Sequence, residues 1–269
     1  MAVDSADADA DEAVRAPEGG GAGGEDFRPV KSATRVLEVL EVLATAGPLT
    51  LRDLSEHLGV PKSSMHALLR TMQWRGWLET DPTGSRYGLG VRSLLAGSAY
   101  VDGDPVVRQT APVLDHLAQR TGETVHLGRL EGGDVVYLAK RESTHPLRLF
   151  SSVGRRLPAY SVALGKALLA EMAPEAARAC LPDQMQAMTP RTITDPAALL
   201  ADLDTVRSVG YAVDDEESAA DLRCFGVALR QRSATRDAIS ISVPVVRLDD
   251  QREQEIITLL LQVRNSLAH

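Results

Sequence analysis

The sequence predicts an α+β protein in which an N-terminal winged helix-turn-helix domain is followed by a linker helix and a larger C-terminal domain. Three observations support this fold class. Apolar residues recur at helical spacing in three short segments between residues 32 and 75. A hairpin pattern with a clear turn follows them. Beyond residue 105, short β-like runs and helical segments occur in clusters, which is typical of α+β domains with a largely antiparallel sheet.

Length and composition already exclude several classes of protein. The 269 residues are enough for about two domains, and 44% apolar with 25% charged residues indicate a globular chain. Aromatic residues make up 4% of the chain, too few for an aromatic-lined binder of single strands, and no apolar run reaches the roughly 18 residues of a membrane-spanning helix. The N-terminus lacks a secretory pattern, and Cys180 and Cys224 cannot build a disulfide framework. We therefore expect a cytoplasmic protein with reduced cysteines.

The net charge of -8 is distributed unevenly along the chain. Residues 1–27 carry eight acidic residues against one arginine, whereas residues 28–92 carry nine Lys and Arg residues against six Asp and Glu residues. The acidic, glycine-rich stretch 1–27 has little apolar surface to bury, so we predict a disordered tail. It is either an inert extension or a competitor of phosphates for the basic module that follows.

We place the domain boundaries at 28–90 for the winged helix-turn-helix, 91–105 for the linker helix and 106–269 for the C-terminal domain. The first helix begins near Ser32 and ends at Gly47-Pro48. The second begins at Thr50, where Thr50 and Asp53 have the spacing of a capping box, and Gly59 stops it.

The third helix, from about Lys62 to Arg75, has two faces of different composition. Its apolar residues repeat at i, i+3, i+4 and i+7 and must face the core. These are Met65, Leu68, Leu69 and Met72. The opposite face is small, polar or cationic, a composition that suits entry into a groove. It consists of Ser63, His66, Ala67 and Arg70.

Pattern changes beyond the third helix predict the remaining elements. The stretch 77–89 turns at Asp81-Pro82-Thr83-Gly84 and reads as the wing. Strands are predicted at 124–130, 135–139, 147–150, 211–213, 222–230 and 238–246, and helices at 163–172, 174–181, 196–209 and from about 249 to the end.

Seven stretches of this chain together resemble the IclR family of bacterial transcription regulators over nearly all of residues 32–265. The stretches are Ser32–Leu37, Gly59–His66, Tyr87–Gly90, Thr121–Leu127, Leu164–Ala170, Gly210–Glu217 and Ile239–Ser242. The resemblance implies a DNA-binding winged domain, a linker helix that dimerises and a GAF-like domain that binds a small effector. It implies a transcriptional regulator, with a repressor role expected, that works as a dimer or a pair of dimers without a cofactor.

The residue pattern and the resemblance together give eight candidate DNA contacts. The second helix of a helix-turn-helix presents its N-terminal side chains to base edges in the major groove. We expect Ser63, Ser64, His66 and Arg70 in the groove, with Arg70 contacting a guanine or anchoring the backbone. Lys62, Arg35 and Arg52 suit phosphates, and Arg86 on the wing suits the backbone or the minor groove. The alternative is a protein-binding winged domain with a solvated charged face.

The resemblance also implies an effector pocket for a small metabolite, usually one that bears a carboxylate. Ala163 and Leu164 begin a predicted helix, where free backbone N–H groups and the positive end of the helix dipole favour an anion. Ser240 and Ser242 are two apart on one strand and so share a face. The remaining candidates are Leu149, Leu157, Asp214, Leu222 and Cys224. Each has an ordinary alternative, as a local hydrogen-bond partner, a small core residue or a turn cap.

Departures from the family pattern predict a reshaped pocket. Asp221 stands where the family usually has glycine, and Tyr160 replaces a frequent histidine. Phe225–Leu229 replaces a common Ala-Ala-Pro run, and Val243 precedes Pro244 where glycine is common.

Enzyme motifs are missing from the sequence, and we predict no catalytic or metal site. Gly165-Lys166 is not a P-loop, because Tyr160 occupies the position of its first glycine and Ala167 that of its Ser/Thr. The chain has no G-x-S-x-G, no Cys-x-x-Cys and no histidine pair at i, i+4. The one alternative metal set is His126, His145 and Cys224. The alternative function is a ligand-binding or catalytic α+β domain whose winged module contacts protein.

Overall fold

The computed structural model describes residues 28–146, 151–230 and 235–266. The described residues form two compact units that divide between Tyr100 and Val101, inside one helix. The helices are α1 (Lys31–Ala46), α2 (Leu51–His57), α3 (Lys62–Trp74), α4 (Val91–Gly103), α5 (Pro105–Thr121), α6 (Ala163–Ala170), α7 (Pro174–Ala179), α8 (Pro196–Val209) and α9 (Asp250–Ser266). The strands are β1 (Leu49–Thr50), β2 (Leu78–Thr80), β3 (Arg86–Leu89), β4 (Thr124–Glu131), β5 (Asp134–Arg141), β6 (Arg156–Pro158), β7 (Ala212–Asp215), β8 (Leu222–Ala228) and β9 (Asp237–Pro244).

The turn between α2 and α3 is built by the residues that the sequence marks for it. The capping box is present, with Asp53 N donating to Thr50 Oγ1 at 3.2 Å and Thr50 N donating to Asp53 Oδ2 at 3.0 Å. Gly59 has φ +60°, a conformation that a side chain would strain. Pro61 then precedes the first turn of α3. These signals set the start of α3 within a residue.

The core of the N-terminal unit confirms three of the four residues predicted for the apolar face of α3. Met65, Leu69 and Met72 are buried, and they belong to one apolar cluster with residues of α1 and α2 such as Val39 and Leu54. Leu68 is only half-buried and lines a surface groove outside this cluster. Removing this much apolar surface from water is what holds the three short helices together. The opposite face of α3 is therefore left exposed.

The wing is a small antiparallel sheet. In the described residues its strand order is β1-β3-β2, with Leu78 opposite Leu89 and Thr80 opposite Tyr87. The Asp81 carboxylate accepts from the backbone N–H groups of Ser85 and Arg86 at 2.8 and 3.1 Å, which closes the turn. The predicted hairpin is confirmed.

Helix α4 buries none of its 13 residues. Val91, Leu94 and Leu95 are each more than 60% exposed. Within the second unit, Asp104 caps the next helix, because its Oδ1 accepts from the N–H groups of Val106 and Val107. The predicted interruption at Gly103-Asp104-Pro105 therefore exists, and its cap is built by Asp104.

The second unit is a layered α+β domain. Among the described residues, six antiparallel strands are ordered β6-β5-β4-β9-β8-β7. One face of the sheet packs on α5 and α9, and the other packs on α6 and α8. The strand positions alternate accordingly. Val125, Leu127, Ile239 and Ile241 face α5 and α9, whereas Leu130, Ala228 and Ala238 face the α6 side.

Some sequence predictions differ from the structure. Val245–Arg247 form a 3-10 turn rather than the end of a strand, because Pro244 cannot donate to the ladder. Strand β6 is missed, since its three residues Arg156–Pro158 lack an apolar alternation. The predicted strand at 147–150 and the acidic tail 1–27 lie outside the described residues. In the part of the chain that the structure describes, no helix is long and apolar enough to cross a membrane.

Candidate functional site

The exposed face of α3 is the first candidate site. Five predicted side chains lie on it or at its start, and all are exposed: Lys62, Ser63, Ser64, His66 and Arg70. Within the described residues, none of these five side chains forms a hydrogen bond or an ion pair. Such side chains are available to base edges and phosphates.

The other three candidate DNA contacts lie on neighbouring elements. Arg52 Nε donates to Glu56 Oε1 at 2.7 Å on the exposed surface of α2. An exposed ion pair of this kind contributes little to stability, so a DNA phosphate can replace Glu56 as the partner of Arg52. Arg86 on the wing donates through Nη1 to the carbonyl of Pro48 at 3.1 Å. Arg35 is half-buried and shares a shallow groove with Ser64.

The second candidate site is a cavity between the sheet and α6, with an empty volume of about 410 Å³ including its mouth. Most of this volume is open to solvent at the mouth, and the enclosed part is about 30 Å³. Ser240 and Ser242 of β9 form part of its floor. Ser242 pairs with Cys224 of β8 and with Thr124 of β4, and Ser240 pairs with His126 of β4. The register thus brings three strands to one patch.

The first turn of α6 covers this floor. A Cβ at Gly226 of β8 would lie 2.8 Å from the backbone carbonyl of Ala163, so only glycine permits so close an approach of helix and sheet. Ala163 and Leu164 line the cavity as a result, together with Leu157 of β6.

Asp214 forms a polar end of the cavity, which we call the Asp214 end. Its Oδ1 accepts from the backbone N–H groups of Glu217 and Ser218 at 2.7 and 3.1 Å, and its Oδ2 accepts from Ser218 Oγ at 2.5 Å. Burial raises the pKa of Asp214, and the bonds from Ser218 and Glu217 oppose that rise. The turn after β7 is thereby fixed around the carboxylate.

Cys224 is a neutral thiol in this site. Its Sγ donates to Ser242 Oγ at 3.2 Å. Burial, with the nearby Asp214 charge, raises the pKa of Cys224 well above its usual range. The side chain is therefore a weak donor rather than a nucleophile or a metal ligand.

Seven of the nine candidate effector residues line the cavity. They are Leu157, Ala163, Leu164, Asp214, Cys224, Ser240 and Ser242. Leu222 is buried beside Ala163 and Cys224 but is not part of the lining. Leu149 lies outside the described residues. Sequence reasoning missed Tyr137, Arg155, Val162, Ser218 and Ala219. The acidic turn after Asp214 could have pointed to Ser218 and Ala219.

The alternative metal set is not assembled. His126 Nε2 lies 2.7 Å from Ser151 Oγ, and His145 lies 3.9 Å from Glu123. Within the described residues, no three His, Cys, Asp or Glu side chains are grouped so that they could hold a metal ion.

Comparison with known proteins decides the family. Residues 98–269 match the family model described as "Bacterial transcriptional regulator IclR C-terminal", and residues 32–82 match the IclR helix-turn-helix domain. The chain belongs to the IclR family. It is similar to the HTH-type transcriptional regulator BhcR of Paracoccus denitrificans, with 32% identity over 93% of this chain and 90% of that protein. It is also similar to the transcriptional repressor IclR of Escherichia coli, with 31% identity over 87% of both chains.

The fold agrees with solved IclR structures. The IclR regulator of Alicyclobacillus acidocaldarius superposes with a TM-score of 0.78 at 26% identity, covering 90% of this chain and 98% of that one. This IclR-family chain is thus a DNA-binding transcriptional regulator, and the proteins it matches are regulators rather than enzymes.

Proposed function

We propose that this IclR-family protein is a transcriptional repressor that binds a near-palindromic operator as a homodimer, and that a small carboxylate-bearing metabolite in the C-terminal cavity modulates the binding. We expect it to act on genomic DNA in the cytoplasm. The observation that carries the proposal is the exposed, unbonded polar face of α3, which is the face a recognition helix presents to the major groove.

The repressor role is supported by the similarity to the E. coli repressor IclR. Dimerisation is supported by α4, where Val91, Leu94 and Leu95 expose an apolar surface that a second copy would cover. One winged domain makes few phosphate contacts and binds weakly at physiological salt, so two linked copies are needed for a stable complex. Analytical ultracentrifugation separates a dimer from a pair of dimers.

The DNA-binding half is tested by fluorescence anisotropy with the chain's own upstream DNA at rising salt. Arg70→Ala is expected to weaken the specific complex by about 1–3 kcal/mol and to weaken the nonspecific complex much less. Arg75→Ala is the matched control, because Arg75 is exposed but lies beyond the last residue of α3. Arg52→Ala removes the proposed phosphate contact, so the slope of the logarithm of the DNA-binding constant against the logarithm of the salt concentration should become shallower by about 0.9.

Two results would contradict this half of the proposal. Equal loss of specific and nonspecific binding in Arg70→Ala would show that Arg70 does not read bases. A wild-type protein with no sequence-selective binding would favour the alternative, in which the winged domain contacts protein.

The effector half is tested by thermal shift with small hydroxy, keto and aromatic acids. A ligand at 100 times its dissociation constant stabilises the native state by about 2.7 kcal/mol. Ser240→Ala combined with Ser242→Ala removes two hydroxyls from the floor and is expected to abolish the shift. Ser208→Ala on α8 lies outside the cavity lining and should leave it unchanged. A full response from the double variant would place the ligand elsewhere.

A further inference from the structure

Trp74, the last residue of α3, leaves its indole in water. It is 81% exposed, the most exposed of the large apolar side chains that the structure describes. The guanidinium carbon of Arg75 lies 5.9 Å from the centroid of the ring, and at an exposed site such a contact is weak. A single exposed apolar residue is common on protein surfaces, so the exposure alone indicates no partner. The position of Trp74 on the helix does.

Trp74 lies on the same face of α3 as the predicted DNA contacts. An α-helix turns by about 100° per residue, so Trp74, eleven residues after Ser63, comes back to within about 20° of it. Ala67 and Arg70 lie on the same stripe, whereas Met65 lies on the opposite side of the helix and is buried in the core. Trp74 therefore continues the face that we propose to lie against DNA.

The charge of α3 indicates what covers this face. The 13 residues of the helix include Lys62 and Arg70 but no Asp or Glu. A surface with cations and no acidic residue is complementary to a polyanion, and the phosphates of duplex DNA form one. Because Trp74 is continuous with that surface, the same duplex is the occupant that its position favours.

The length of α3 determines which part of the duplex Trp74 can reach. A helix rises about 1.5 Å per residue, so Trp74 lies about 6 Å beyond Arg70 and about 17 Å beyond Ser63 along the axis. The major groove is only about 12 Å wide. When the first turns of α3 lie at base edges, its last turn is therefore carried to the rim of the groove, where sugars and phosphates are found.

We propose that Trp74 packs its indole against the sugar-phosphate backbone at the rim of the major groove and anchors the C-terminal end of α3 there, whatever the base sequence. This inference rests on the proposed function as a DNA-binding regulator. The ring can cover the apolar face of a deoxyribose, and Nε1–H can donate to a phosphate oxygen. The indole is neutral, so it neutralises no phosphate. In this it differs from Arg52, for which we propose a charged phosphate contact.

The first experiment measures DNA binding by fluorescence anisotropy, with the full-length protein, its own upstream DNA and an unrelated duplex of equal length. Trp74→Ala should weaken binding to both duplexes by about tenfold or more, because the lost contact is apolar and independent of sequence. The dependence of binding on salt should not change, since no counterion is released at a neutral side chain. Trp74→Phe keeps an aromatic ring and should recover most of the loss. Gln73→Ala is the matched control, because the exposed Gln73 donates through Nε2 to Thr80 Oγ1 of the wing at 3.5 Å.

The second experiment observes the indole itself. The chain has two tryptophans, Trp74 and Trp77, so Trp77→Phe leaves Trp74 as the only one. Acrylamide is a neutral quencher that the charge of DNA does not repel. Adding the upstream DNA should protect Trp74 from acrylamide in this variant. In Trp74→Phe the remaining Trp77, which is half-buried against the core, should be quenched equally with and without DNA.

Four results would overturn the inference. Trp74→Ala may bind both duplexes as tightly as the wild-type protein, or DNA may leave the quenching of Trp74 unchanged. A loss confined to the specific complex would assign the indole to a base rather than to the backbone. A shift of Trp74→Ala to a smaller species in sedimentation without DNA would assign it to a second copy of the chain. A wild-type protein that binds no DNA would overturn the proposed function as well, so the two failures are distinguishable.

Discussion

Lys166 offers the sharpest test of how the C-terminal domain is held together. It lies on α6 and is 1% exposed, with Nζ 2.6 Å from Glu217 Oε1 and 3.0 Å from Asp202 Oδ2. Burial alone would lower the pKa of Lys166, but the charges of Glu217 and Asp202 outweigh burial and raise it. The ammonium is therefore charged, and it ties the turn that follows Asp214 to α6.

Lys166→Met removes this charge at nearly constant side-chain length. Breaking a buried ion pair by deleting one partner costs about 3–5 kcal/mol, because the remaining charge stays buried. Glu217 is poorly placed to tolerate that change, since its Oε2 is buried without a partner in the described residues. We expect the free energy of unfolding at pH 7 to fall by an amount in this range.

The loss should depend on pH in a defined direction. Burial already raises the pKa of Glu217, and Lys166 opposes that rise. Without Lys166 the folded-state pKa moves further above its value in the unfolded chain. A group with a raised folded-state pKa contributes its full stability below the unfolded-state pKa and loses it as the pH rises through the folded-state pKa. The deficit of the variant should thus shrink on going from pH 7 to pH 5, by at most about 1.4 kcal/mol per pH unit.

Urea denaturation at pH 7, 6 and 5 measures these quantities. Both tryptophans, Trp74 and Trp77, lie in the N-terminal unit, so their fluorescence is an internal control that should not change. Far-UV circular dichroism reports the whole chain. Adding Glu217→Gln to Lys166→Met should recover part of the loss, because the more deeply buried of the two carboxylates is then neutral and only the partly exposed Asp202 lacks its cation. A deficit below about 1 kcal/mol at pH 7, or one independent of pH, would refute the reasoning.

Three further substitutions test other parts of the structure. Leu69→Ala, on the core side of α3, should lower the free energy of unfolding by about 2–5 kcal/mol, measured by tryptophan fluorescence. Leu69→Met should lower it by less than about 1.5 kcal/mol. Gly226→Ala forces a Cβ against the backbone of α6, so we expect the free energy of unfolding to fall by about 1–3 kcal/mol. The thermal shift with effector should also be smaller. An unchanged thermal shift would show that α6 need not lie this close to the sheet. Arg129 holds Asp104 at 2.5 Å and Asp237 at 2.7 Å, so Arg129→Met should destabilise the domain by about 3–5 kcal/mol in urea, and a neutral result would mean that the triad contributes nothing net.

The helical part of the fold could be predicted from the sequence because its signals are local. The buried stripe of α3, the capping box at Thr50 and the proline-marked start of α8 each lie within a few residues of the element they define. The same holds for the hairpin of β4 and β5, whose strands are joined at Gly132-Gly133.

The order of the sheet and half of the cavity depend on contacts that no local pattern contains. Strand β9 lies between β4 and β8, so Ser240 meets His126 across more than a hundred residues of chain. Asp214 and the two serines could be named because a family resemblance supplied their position. Tyr137 and Arg155 could not, since neither belongs to a resembling stretch and Arg155 reaches the cavity only through its backbone bonds to β5.

The departures from the family pattern matter less for the cavity than the sequence indicates. Asp221, at a usual glycine position, has φ +60°, so the backbone keeps the conformation that favours glycine, and its N–H donates to Glu216 Oε2 at 3.0 Å. Tyr160 does not line the cavity; its hydroxyl accepts from Gln186 N at 2.9 Å and donates to the Gln186 carbonyl at 3.0 Å. Since both replacements are accommodated away from the lining, the identity of the effector must be decided by residues that touch it.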